Sequence, residues 1–359
     1  MRRLSRRLAA LVMLTGIFLV GAAGSALACG GLVTPNGTVS LLKTTTLAAY
    51  HDGVEHYVTS FEFAGEGQEV GSIIPLPGVP TDVIRAGDWT LQRLILETQP
   101  QPPDVFRAAA LAEDSAGGAQ VILETKVDAL DITVLKGGGG EVGDWAREHG
   151  YFLPPDTPEI LDFYAERSPI FLAARFNLER AERQGVQTGQ GTPVHIAIPT
   201  PNPWVPLRIL ALGRQASELV QADVYLLTDR RPDTLPQAER SRGFDPDQRG
   251  LIQEVSEPAS RTLLTDLRSD RGMKWLPASG MWLTYIRVNE TAANLTHDLA
   301  IDASGYGNPS PVAAGYPVAD GAASWPVVWT VMAALVAVAI LMAVTDPTVR
   351  RATAKVFRR

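Results

Sequence analysis

The sequence predicts an α+β fold with antiparallel sheets and several helices, followed by one C-terminal transmembrane helix. Three observations carry that reading. Segments rich in Val, Thr, Tyr and Phe recur along the chain and are separated by Gly, Pro and Asp turns. Segments with helical apolar spacing fall in runs between them rather than strictly one by one, which favours α+β over a doubly wound sheet. Residues 325–344 then run for 20 positions without a charge, about 30 Å of helix and the hydrocarbon thickness of a bilayer.

In chain order, Thr38 to Tyr50 and Val54 to Phe63 read as strands joined by Asp52-Gly53, a strong hairpin signal. Glu69 to Leu76 reads as a third strand, stopped by Pro75, Pro77 and Pro80. Asp88 to Glu97 and Asp104 to Glu113 read as helices. Gln120 to Leu135 alternates enough for one or two strands, and Gly137 to Gly140 leads into a short helix, Val142 to Glu148. Thr157 to Glu166 reads as a further helix. Strands are expected near Ile170–Phe176, Val194–Ile198, Leu207–Leu212 and Ala222–Leu227, then a polar loop from Asp229 to Gly250. A helical pattern follows near Ile252–Leu267, and Met281 to Val288 is a strand. The proline-rich strand ends at Ile74–Pro80 and Ile198–Pro206 echo one another. The echo reads either as two related subdomains, 29–156 and 157–302, or as prolines ending strands wherever strands end.

The ends of the chain predict an address. Arg2, Arg3, Arg6 and Arg7 precede an apolar run from Leu8 to Val20, and Ala26-Leu27-Ala28 supplies a small-x-small exit before Cys29. These are the three parts of a secretory signal peptide over 1–28, with Ala26, Ala28 and Cys29 at the cleavage site. Cys29, the single cysteine, then becomes the first mature residue, either free or lipidated. It excludes an intramolecular disulfide and any Cys-based zinc site. Residues 303–324, rich in Gly, Pro and Ala, read as a stalk. Trp325 and Trp329 lie at the outer end of the apolar run, where indoles favour the membrane interface. The tail, 345–359, carries five cations and one aspartate, so the positive-inside rule puts it in the cytoplasm. The expected partner at this end is the lipid bilayer, reached through the C-terminal helix.

The whole chain has a formal charge of −7, which describes none of its parts. Without the leader and the tail, residues 29–324 hold 23 basic and 38 acidic residues, a net −15. A polyanion would be repelled, so nucleic acid is excluded as a partner.

Motifs for chemistry are few. Ser40-Leu41-Leu42-Lys43 has acyl-enzyme spacing, but a predicted strand turns the two side chains to opposite faces. His51, Glu55 and His56, with Asp52, are the candidate metal ligands. Their spacing matches no helix-borne zinc motif and fits a polar hairpin tip better. His149, His195 and His297 stand alone and read as structural. Lys136-Gly137-Gly138-Gly139-Gly140-Glu141 could cradle phosphate at a helix start, but Glu141 and Asp144 would repel it. Gly65 to Gly71 misses the dinucleotide spacing and reads as a hairpin loop. No catalytic residue and no cofactor is therefore expected.

Ala28-Cys29-Gly30-Gly31 after the leader, Ile73-Ile74-Pro75-Leu76-Pro77, Val134-Leu135-Lys136 before Trp145-Ala146-Arg147-Glu148-His149-Gly150-Tyr151, and Trp204-Val205-Pro206-Leu207-Arg208-Ile209 together resemble the bacterial "domain of unknown function 2330" family over roughly residues 29 to 300. The resemblance implies an exported, often membrane-tethered bacterial protein with no established activity and no catalytic residues to carry over. The expectation is a non-catalytic binding or scaffolding domain on the outer face of the cytoplasmic membrane, acting on an envelope protein or ligand. The alternatives are an envelope hydrolase with an unrecognised site and a metal-binding or sensory ectodomain.

Overall fold

The computed structural model describes residues 31–33, 44–62, 71–98, 120–151, 153–185, 191–243 and 245–317. The leader with Ala26, Ala28 and Cys29, the Ser40–Lys43 pair, the 65–70 loop, the 104–113 helix, and the apolar run with Trp325 and Trp329 lie outside those residues. Among the described residues no helix is long and apolar enough to cross a membrane.

Two large sheets form the frame. One has eight strands: β2 (Thr44–His51), β3 (Val54–Glu62), β5 (Asp82–Arg85), β9 (Gly191–Pro199), β11 (Leu219–Thr228), β13 (Glu239–Arg240), β14 (Gly250–Pro258) and β15 (Trp282–Thr291). Their spatial order is β13-β14-β15-β11-β2-β3-β9-β5. The other has five, β1 (Gly31–Val33), β4 (Gly71–Pro75), β6 (Gln120–Val127), β7 (Leu130–Lys136) and β8 (Ile170–Phe176), in the order β1-β4-β8-β7-β6. A small sheet orders β10 (Trp204–Val205), β16 (Leu299–Asp302) and β12 (Asp233–Leu235) as β10-β16-β12. The helices are α1 (Thr90–Thr98), α2 (Gly139–Glu148), α3 (Thr157–Ala165), α4 (Leu178–Gln184), α5 (Arg261–Ser269) and α6 (Pro311–Ala314). Strands from both sides of residue 156 share each large sheet.

Alternation along the strands explains the layering. Tyr57, Ile196, Ile198, Val224 and Leu226 of the large sheet meet Ile74, Ile132, Val134 and Leu172 of the five-stranded sheet in one core. On its other face the large sheet buries Leu47, Val58 and Leu227 against Leu94 of α1 and Leu263, Leu264 and Leu267 of α5. The outer face of the five-stranded sheet buries Ile73, Leu135 and Phe171 against Val142 and Trp145 of α2 and Leu161 and Tyr164 of α3. The order is helices, sheet, sheet, helices. Both faces of each sheet are covered, which is why several strands read as continuous apolar runs.

Several expectations need correction, and the polar loop expected from Asp229 to Gly250 is one: it holds the short strands β12 and β13. Leu207–Leu212 is not a strand but holds a 3-10 turn, Arg208–Ala211. The N–H groups of Leu207 and Arg208 donate to Asp298 Oδ1 at 2.8 and 2.9 Å, and that of Ile209 donates to Tyr164 Oη at 2.9 Å. Donors committed to side chains are unavailable to a ladder. The helical pattern at Ile252–Leu267 is two elements, β14 and then α5 behind Pro258 and the Ser260 N-cap. A register shift between Gln253 and Val255 breaks the strand alternation, and the extra residue mimics helical spacing. The sheets are not wholly antiparallel: β11 runs parallel to β2, and β13 to β14. The long chain between β2 and β11 supplies the crossover that a parallel pair requires. Finally, the Gly/Pro/Ala-rich segment begins inside the fold, because Ala313 and Ala314 are buried and Asp298 N donates to Ala314 O at 3.0 Å.

Candidate functional site

The β2–β3 hairpin organises the candidate site. Asp52 and Gly53 have φ of 49° and 78°, the left-handed pair that a two-residue turn matching strand twist requires. The tip is tethered to the chain leaving β9: Thr200 N donates to Gly53 O at 3.1 Å, and Tyr50 Oη donates to Thr200 O at 2.8 Å. Asn202 N in turn donates to Thr200 Oγ1 at 3.2 Å.

A second loop faces this tip. Asp302, at the end of β16, accepts from Ser304 N at 2.8 Å, Ser304 Oγ at 2.5 Å and Asn308 N at 2.8 Å. Burial works to raise the Asp302 pKa, but the hydrogen bonds from Asn308, Ser304 and Gly307 outweigh it and hold the carboxyl below its ordinary value. Between the hairpin tip and this loop lies a cleft of about 280 Å³, walled by Tyr50, Asp52, Pro201, Asn202, Pro203, Asp229, Ile301, Asp302, Ser304, Asn308 and Ser310 among others. His51 sits at the rim, with Nδ1 2.7 Å from Asp229 Oδ1. The side-chain amides of Asn202 and Asn308 make no hydrogen bond among the described residues.

Glu55 lies directly across from Tyr50 in the β2–β3 ladder, with 0% of its surface exposed. Its Oε2 accepts from Trp204 N at 3.3 Å, and its Oε1 has no partner among the described residues. Burial pushes its pKa up to about 8, opposed by the Trp204 N–H, so at neutral pH most of it is protonated. Tyr50 is raised as well, by burial and then by Glu55 and Asp229.

His56 follows Glu55 and therefore faces the other side of the sheet. It stacks on Trp275 at 3.5 Å between centroids, and its Nδ1 is 2.9 Å from His195 Nε2. The two imidazoles point nitrogen to nitrogen, which one shared N–H satisfies. Burial, then His195 and His51, lower His56 to about 3, and burial lowers His195 to about 4. Both rings are neutral at pH 7.

The three metal candidates thus go to three places: His51 to the cleft rim, Glu55 into the inter-sheet core, His56 beneath Trp275. Among the described residues no group of three or more His, Cys, Asp or Glu side chains is arranged to hold a metal ion. The glycine run is explained by packing. Glu141 Oε2 accepts from Gly138 N at 2.9 Å, so α2 caps itself with its own carboxylate. A Cβ at Gly139 would come within 2.3 Å of Asp162 Oδ1 on α3.

Against known proteins, the model of an uncharacterised bacterial family, DUF2330, matches residues 23–242. The chain belongs to that family. For this DUF2330 protein the expected resemblance therefore holds, over a segment that ends short of the cleft's second loop. No curated protein matches the chain. Among solved structures it is similar to a mutated baculovirus P35 after caspase cleavage, at 10% identity over 74% of this chain and 99% of that one, with a TM-score of 0.38. It is also similar to the caspase-8/P35 complex, at 9% identity over 80% of this chain and 94% of that one, with a TM-score of 0.34. Likeness at this level transfers none of P35's properties to the DUF2330 chain.

The cleft residues Asn202, Asp229, Asp302 and Asn308 carry no motif. One local signal was available, an aromatic held between glycines in Ser304-Gly305-Tyr306-Gly307-Asn308, inside a segment whose composition reads as stalk.

Proposed function

We propose that this DUF2330 protein is an extracytoplasmic, membrane-tethered binding domain of the bacterial envelope, and that the hairpin-tip cleft is its ligand site. One observation carries the site: a polar cleft whose two solvent-exposed asparagine amides make no hydrogen bond among the described residues. Side-chain amides left open in a concavity are the groups that fix a ligand's orientation. The leader-like residues 1–28, the apolar run 325–344 and the basic tail support the location. The net −15 of residues 29–324 supports a solvated ectodomain that repels polyanions.

Photocrosslinking tests this reading. A benzophenone amino acid replacing Asn308 in intact cells should trap envelope material that the same group replacing the exposed Leu96, on α1, does not. Mass spectrometry of the adducted peptides reads the result. Equal trapping at both positions, or none at 308, contradicts the proposal.

A further inference from the structure

Resting on the binding-site reading above, we infer that the cleft takes a neutral polyhydroxylated ring, a saccharide unit, with Asn202 and Asn308 bonding its hydroxyls and Tyr306 stacking on its apolar face.

Charge narrows the ligand first. Among the described residues no Lys, Arg or His side chain lines the cleft, and His51 at its rim is turned to Asp229, so an anion finds no counter-charge there. The carboxylates do not make a cation trap either. Asp302 is occupied by Ser304 and Asn308 of its own loop. Asp229 is held by His51 at 2.7 Å. Asp52 is 88% exposed, and a carboxylate in water returns little for a bound cation. What stays open is neutral. Each asparagine amide offers two N–H donors and one acceptor, the complement of a ring bearing several hydroxyls. An acyclic apolar ligand would leave those amides desolvated and unpaired, which costs binding free energy.

The second observation is Tyr306. It is 84% exposed, on the loop whose Ser304 and Asn308 line the cleft. Gly305 and Gly307 on either side have φ of 77° and 72°, a left-handed backbone that keeps the intervening side chain on a tight outward bend. Asp302 pins both ends of that bend, and a Cβ added at Gly305 would come within 3.2 Å of Arg230 Cδ. An aromatic ring is therefore held in water by well-bonded backbone, which forgoes the burial an aromatic core residue gains. A pyranose has one polar edge and one face of C–H groups, and so matches amides on one side and an aromatic plane on the other. The volume, about 280 Å³, sits at the lower limit for small-molecule sites and suits one ring, with an open mouth through which a longer glycan can continue.

Ligand-observed saturation-transfer NMR on the full chain in nanodiscs tests this. The probes are glucose, galactose, mannose, N-acetylglucosamine and maltose, with cadaverine and inorganic phosphate as charged controls. At least one saccharide should bind at millimolar concentration or tighter. Asn202→Ala, Asn308→Ala and Tyr306→Ala should each weaken it at least fivefold with an unchanged near-UV CD spectrum. Because Asn308→Ala removes only an amide, its failure to fold would be visible in that spectrum, and exposed Tyr306→Ala then carries the test. Saccharide binding that all three variants leave unchanged overturns the inference. Cadaverine or phosphate binding that Asn202→Ala removes, without any saccharide binding, overturns the ligand class but leaves the cleft as the site. No binding by any probe, together with no trapping at position 308 in cells, overturns the class and the site together.

Discussion

Glu55→Gln is the substitution that the buried hairpin carboxyl makes most informative. The change keeps the shape and keeps an oxygen for Trp204 N, but it removes the titration. In the fold the Glu55 pKa is about 8, against 4.5 for the free side chain. A raised carboxyl stabilises the folded state below about pH 4.5, and that contribution is lost as pH rises towards 8. At about 1.4 kcal/mol per unit, the loss is about 1 kcal/mol at pH 5 and about 4 kcal/mol at pH 8. The wild type should therefore lose about 3 kcal/mol relative to Glu55→Gln over that interval. The comparison cancels every other titrating group, because both proteins share them. Urea unfolding of the full chain in detergent, followed by tryptophan fluorescence at pH 5 and pH 8, measures it. Parallel pH dependence in the two proteins would refute the assignment of a protonated, core-facing Glu55.

Three further expectations follow from neighbouring features. His56 and His195 are lowered by burial, so they oppose Glu55: their contribution is present above about pH 6.5 and lost as pH falls towards 4, and His195→Gln should flatten the acid limb by about 2 kcal/mol between pH 6.5 and 4.5, read from melting temperature against pH. Gly87→Ala puts a Cβ 1.7 Å from Asp270 Oδ1, the carboxylate that accepts from Thr90 N and Thr90 Oγ1 at the start of α1; it should cost about 2–3 kcal/mol, whereas Gly140→Ala, which meets open space within α2, should be neutral or stabilise by up to about 1 kcal/mol in the same urea titration. Asp298→Ala leaves Arg167 without its 2.5 Å partner, Tyr164 Oη without its acceptor, and two backbone N–H groups unpaired; a loss of about 3–5 kcal/mol is expected in equilibrium unfolding.

Local chemistry made much of the fold legible. The β2–β3 hairpin follows from Asp52-Gly53, since few dipeptides accept two left-handed residues in succession. Strand β8 has the expected ends because Ser168-Pro169 and Asn177, the α4 N-cap, bracket it. The helix from Thr157 begins where Pro158 suits a first turn. Errors arose where a distant partner decided the outcome. The 208–211 turn exists because Asp298 and Tyr164 take the N–H groups a strand would need, and nothing near residue 208 announces either. Strand β14 was hidden by its own bulge. The candidate site was almost wholly illegible: its walls come from residues 50, 52, 53, 201–203, 229, 301–304, 308 and 310, which meet only once the large and small sheets are in place. The sequence singled out the right hairpin for a different reason. His51, Glu55 and His56 are neighbours along a strand, and strand alternation separates them in space.

The central claim, an outward-facing cleft on a tethered envelope domain, is tested most directly by cysteine labelling in spheroplasts. The lone native cysteine is first replaced (Cys29→Ser), and Asn308→Cys is introduced in the cleft wall, with Lys355→Cys in the tail as its counterpart. A membrane-impermeant maleimide should modify position 308 in intact spheroplasts and position 355 only after permeabilisation. Modification of position 308 only after permeabilisation would contradict the account.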